Sequence, residues 1–178
     1  EQSGANKIRT TSGSGAWEWE WTFEPGYARL DILRINPDAP YWFLYEGTPG
    51  GLYDPKRQFT GTDQGGPLHV TPDFYHGDKI FGHWHWAYFG HDDCETMLFI
   101  AQAEPDTLTD TFSYLGNTEA GISSTDGMTV FGFGRADGAQ PLLTKINTFY
   151  LGFLERNGSG RHLHRQTRRS IRAILNAH

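Results

Sequence analysis

Two runs in this 178-residue chain alternate residue by residue: Trp17-Glu18-Trp19-Glu20-Trp21 and His83-Trp84-His85-Trp86. Successive side chains of a β-strand point to opposite faces, whereas a helix of 3.6 residues per turn would scatter such an alternation around its axis. The first run therefore predicts a strand with tryptophans on one face and carboxylates on the other. Extended to Phe89, the second predicts Trp84, Trp86 and Tyr88 on one face and His83, His85, Ala87 and Phe89 on the other.

The same period recurs along the chain between turn formers. It predicts ten short strands near residues 7–10, 16–24, 28–35, 41–46, 79–81, 84–89, 96–102, 111–115, 128–134 and 148–155. Glu24-Pro25-Gly26, Asn36-Pro37-Asp38, Gly65-Gly66-Pro67, Asp126-Gly127 and Asp137-Gly138 punctuate them, each with residues suited to tight turns. No helical periodicity intervenes before residue 156, which points to two packed antiparallel sheets in a jelly roll rather than to a parallel α/β sheet. Residues 47–77 contain no such strand signal and are rich in Gly and Pro. They are expected to form a long loop at the rim of a groove, or a surface excursion.

Charge divides the chain in two. Residues 1–155 hold nine Lys plus Arg against 21 Asp plus Glu, a net of −12, whereas Arg156, Arg161, Arg165, Arg168, Arg169 and Arg172 give the remainder +6. An acidic body argues against its binding a nucleic-acid backbone. Leu163, Thr167, Ile171, Ile174 and Leu175 recur at helical spacing among those arginines, so residues 1–156 are expected to form a β-sandwich domain and 157–178 a linker and a basic amphipathic helix or tail. That tail would contact its own body, another subunit or an anionic surface. Cys94 is the single cysteine, which rules out an intrachain disulfide. A first residue that is not Met is read as a processed product, with a secreted or periplasmic location expected.

Several constellations bear on chemistry. His83 and His85 on one strand face, with His91 as a third donor, have the spacing of a metal site in some jelly rolls, but no carboxylate follows the pair at the spacing cupin-type sites use. Glu18 and Glu20 share a face as an acid and base would. Their spacing resembles the start of the motif of laminarinase-like hydrolases, which Thr22 and Phe23 leave incomplete. Arg135, Gln102, His85 and Tyr88 are the residue types a polysaccharide lyase needs. The catalytic candidates are accordingly Glu20, Glu46, His85 and Arg135. Aromatic rings stack on the apolar faces of sugars, which, with Gln102 as the contact to a uronate carboxylate, makes Trp42, Tyr45, Tyr53, Trp86, Tyr88 and Gln102 the candidate ligand-binding set. The residues identify no cofactor.

The segments Ala39–Gly51 (APYWFLYEGTPGG), Gly61–Pro67 (GTDQGGP), Asp126–Arg135 (DGMTVFGFGR) and Thr148–Glu155 (TFYLGFLE) resemble bacterial secreted proteins of uncharacterised function with a concanavalin A-like fold. The resemblance spans about residues 16–155. It implies a two-sheet jelly roll and a carbohydrate-linked role outside the cytoplasm, and it carries no catalytic residue with it. The expectation is an all-β concanavalin A-like sandwich with a short C-terminal helix that binds or processes a polysaccharide or oligosaccharide. A lyase or glycoside hydrolase, a structural protein with a basic tail, and a metal-binding jelly roll remain open alternatives.

Overall fold

In the computed structural model, the structure describes residues 2–47, 53–70, 80–115, 124 and 127–177. The elements in chain order are β1 (Gln2–Ser3), β2 (Lys7–Thr11), β3 (Glu18–Glu24), β4 (Tyr27–Arg34), β5 (Phe43–Gly47), β6 (Gln58–Thr62) and β7 (Gly65–Leu68). They continue with β8 (Ile80–Gly82), β9 (Trp86–His91), β10 (Thr96–Gln102), β11 (Asp110–Leu115), β12 (Met128–Phe133), β13 (Thr148–Glu155) and the helix α1 (Gly160–Asn176). All pairings are antiparallel. One sheet has the order β1-β2-β3-β4-β13-β10-β9-β6-β7 and the other β5-β12-β11-β8. The protein is an all-β sandwich with one C-terminal helix.

The inner faces of the two sheets meet in a core of Leu30, Trp84, Ala87, Phe89, Leu98, Ile100, Phe112, Tyr114, Phe131, Phe133 and Phe149. Aromatic rings dominate it: Phe43 stacks on Phe149 at 4.4 Å between centroids, and Phe112 lies 5.0 Å from Phe131. The outer face of the larger sheet carries a second core. There Phe59, Trp86, Tyr88, Met97, Phe99 and Tyr150 pack against Leu163 and Ile171 of α1. Strands β9 and β10 are therefore covered on both faces, which is why Met97–Ala101 is a continuous apolar run. At the other end of the same sheet, β3 has one open face. Trp19 and Trp21 pack on the inner core, while Glu18 bonds Arg9 and Arg34, and Glu20 bonds Lys7.

Three expectations need correction. The run from His83 to Phe89 is not one strand: β8 belongs to the smaller sheet and β9 to the larger, and His83–His85 is the crossing between them. Trp84 consequently joins the inner core and Trp86 the outer one, not a common face. Residues 47–77 are not all loop, since β6 and β7 form a hairpin that extends the larger sheet beside β9. Its strands escaped notice because Gly61, Gly65, Gly66 and Pro67 carry no alternation to read. Gly61 is required there: a side chain at this position would meet the Tyr88 ring at 2.4 Å. Residues 48–52 and 71–77 of that proposed rim lie outside the described residues.

Candidate binding cleft at one end of the sandwich

Two chain connections at one end of the sandwich enclose a cleft of about 520 Å³. The β10–β11 connection contributes Glu104, Pro105, Asp106, Thr107 and Leu108, and the β12–β13 connection contributes Leu142 through Asn147. Each wall is set by local chemistry. Asp106 Oδ1 accepts the Leu108 amide at 2.8 Å, an Asx turn that reverses the chain directly after Pro105. Tyr41 and Leu143 exchange backbone hydrogen bonds, and the Tyr41 hydroxyl donates to the Lys145 carbonyl at 2.6 Å. Burial, with the nearby Asp106 charge adding to it, pushes that phenol up to about 12.

Asn147 joins the walls. Its Oδ1 accepts the Glu104 and Thr148 amides, and its Nδ2 donates to the Glu104 carbonyl and to Gln102 Oε1. Gln102 in turn donates to the Trp84 carbonyl at 3.0 Å, so a chain of hydrogen bonds runs from the strand crossing to the cleft wall. The crossing itself is pinned by carboxylates. Asp110 accepts the Trp84 amide at 2.9 Å and the Gly134 amide at 2.7 Å, and Asp63 accepts the His85 amide at 2.9 Å. Asp110 is fully buried. Burial raises its carboxyl to about 7, the Asp106 and Asp63 charges add to this, and the two amide bonds oppose it.

The cleft presents carboxylates at Glu104 and Asp106, an ammonium group at Lys145 and hydroxyls at Thr107 and Thr144, beside the apolar Leu108, Leu142, Leu143 and Ile146. Ile146 is 59% exposed. A shallower hollow lined by Asp31, Leu33 and Ala103 adjoins it across Glu104, Ile146 and Asn147. Such a mixture suits a ligand that has hydroxyls and small apolar faces.

The residues singled out from the sequence are distributed differently. Among the ligand-binding candidates, Tyr53, Trp86, Tyr88 and Gln102 are buried. Trp86 and Tyr88 lie beneath α1, and the Tyr88 hydroxyl meets His164 Nδ1 at 3.1 Å. Tyr45 is half-buried, 5.5 Å from Phe131. Buried rings have no face to offer a ligand, which leaves Trp42, at 40% exposure, and the half-buried Tyr45. Gln102 bonds the Trp84 carbonyl and Asn147.

The catalytic candidates are likewise dispersed. Glu20 is in its ion pair with Lys7 at 2.8 Å, and His85 sits at the crossing. Arg135 is buried and donates to Ser113 Oγ at 2.9 Å. Burial lowers its pKa against the opposing charges of Glu46 and Asp137, which links Arg135 electrostatically to Glu46. For the histidines, the strand that would have aligned His83 with His85 is absent, and the His91 ring accepts the Asp93 amide at 3.0 Å. Among the described residues no group of three His, Cys, Asp or Glu is placed to hold a metal ion.

Sequence reasoning passed over Asp106, Lys145 and Asn147. Their signal is faint: Glu104-Pro105-Asp106 marks a turn between two apolar strands, but nothing local says that residues 142–147 come to face it. No protein-family model, curated protein or solved structure matches the chain.

Proposed function

We propose that the protein is a carbohydrate-binding β-sandwich module that takes an oligosaccharide or polysaccharide segment into the end cleft. One observation carries the reading: a cleft of about 520 Å³ in which charged and hydroxyl groups stand beside a leucine floor. Its volume is within the range of roughly 300–1,000 Å³ usual for small-ligand sites. Sugar hydroxyls would bond Asp106, Glu104 and Lys145, and the apolar face of a ring would lie over Leu108 and Ile146. The proposal extends to a concanavalin A-like jelly-roll topology and to work outside the cytoplasm, supported by the resemblance over residues 16–155. It is a proposal of binding; Glu20, His85 and the Glu46–Arg135 pair stand on separate elements.

The test is titration calorimetry of the protein against a panel of neutral and acidic oligosaccharides. At least one should bind, and Lys145→Ala combined with Asp106→Asn should weaken it by about tenfold or more, the loss of one to two hydrogen bonds to charged groups. Asp106→Asn keeps the Oδ1 acceptor for the Leu108 turn, so the wall should survive. A ligand bound equally by wild type and variant, or a panel with no ligand, would contradict the proposal.

A further inference from the structure

Helix α1 presents two opposed faces. Leu163, Thr167 and Ile171 are buried against the larger sheet, while Arg161, Arg165, Arg168, Arg169 and Arg172 are all exposed. At 3.6 residues per turn, Arg161, Arg165, Arg168 and Arg172 fall within an arc of roughly 60° on the outward side, with Arg169 about 40° beyond it, and the stripe is about 16 Å long. No ion pair to any of the five is found among the described residues.

This arrangement does not serve the helix. Like charges at i,i+3 and i,i+4 repel, and cations stabilise a helix at its C-terminus, not at its start. Here the first turn contains no acidic residue and the last turn no basic one. The arginines are therefore placed against local helix stability, on exposed positions of the helix. A row of planar guanidinium forks is suited to carboxylates, phosphates or sulfates in bidentate contact.

We infer that the outward face of α1 is a binding track for a linear polyuronate chain, an acidic polysaccharide with one carboxylate per ring. The cleft has no part in this inference, which stands or falls independently of it. Spacing selects the partner. The stripe has about one arginine per 5.4 Å turn, comparable to one charge per sugar ring, whereas each strand of duplex DNA has a charge about every 3.4 Å along the axis. The body's net charge of −12 over residues 1–155 opposes any polyanion, and the denser one more strongly. A lipid surface fits poorly, because the apolar face that would insert is already buried in the second core.

The experiment is fluorescence anisotropy of labelled polygalacturonate oligomers with the full chain. Arms with the fully methyl-esterified oligomer, duplex DNA and phosphatidylserine vesicles run in parallel, and sedimentation velocity reports self-association. The polyuronate should bind, with affinity falling as salt rises, and esterification should abolish binding. The triple substitution Arg165→Gln, Arg168→Gln, Arg172→Gln should weaken binding by about tenfold or more through lost counterion release. Those side chains are exposed and repel one another, so the circular dichroism melt should not fall. Unchanged binding by the triple variant overturns the inference. So does an arginine-dependent preference for DNA or vesicles, an arginine-dependent dimer, or failure of the polyuronate to bind at low salt.

Discussion

The Trp-Glu-Trp-Glu-Trp strand and the His-Trp-His-Trp segment look alike on paper and end in opposite situations. In β3 the alternation is kept: Trp19 and Trp21 face the inner core, and Glu18 and Glu20 form ion pairs with Arg9, Arg34 and Lys7 on an open face. In the second segment the chain changes sheets at His83–His85, so its two tryptophans enter different cores. The difference lies in the partner residue. A carboxylate on an antiparallel strand has one inexpensive place to go, which is water or a cross-strand cation. An imidazole tolerates either face, so its alternation fixes nothing. Covering β9 on both faces then removes the aromatic platform that its composition suggested.

The contrast should be plain in stability measurements. Trp86→Ala opens a void between β9 and α1 and is expected to cost about 3–5 kcal/mol, read as a shift in denaturant midpoint at constant slope. A cost below about 1 kcal/mol would mean that the second core does not hold the helix. Next in size is Asp110→Asn, whose amide group must face either the Trp84 or the Gly134 N–H. The clash should cost about 1–3 kcal/mol.

The pH dependence of that site has a definite sign. The Asp110 carboxyl rises from 3.8 to about 7 on folding, so between those values the folded state holds a proton that the unfolded chain releases. Its stabilising contribution is present in full below about 4 and is lost as pH rises through 7. Wild-type stability should decline over that window, and the decline should flatten in Asp110→Asn. Equal slopes in both proteins would remove Asp110 as the cause. The smallest effect belongs to the open face of β3, where Glu20→Ala should cost less than about 1 kcal/mol, and less again at high salt. A larger loss would mean that the ion pairs, not the tryptophan face, secure that edge.

These same residues show what a sequence makes legible. Strands flanked by charge or turn formers, such as Thr96–Gln102 and Thr148–Glu155, are bounded as their pattern predicts. The helix register of Leu163, Thr167 and Ile171 is equally plain, because three and four residue spacing has one reading. The β6–β7 hairpin is not legible, since its glycines are dictated by the Tyr88 ring, which is distant in sequence. Nor is the cleft. It is assembled when Asn147 ties residues 142–147 to Glu104, a contact across 43 positions that leaves no local periodicity. Gln102 illustrates the same limit: its chemistry was readable as a ligand contact, but its neighbours Trp84 and Asn147 make it a brace.

Amide hydrogen exchange with the tightest oligosaccharide of the panel, resolved to short peptides, tests the account most directly. Added ligand should slow exchange in peptides covering 104–108 and 142–147 and leave those covering 83–89 unchanged. Protection confined to 83–89, with none at the two cleft walls, would contradict it.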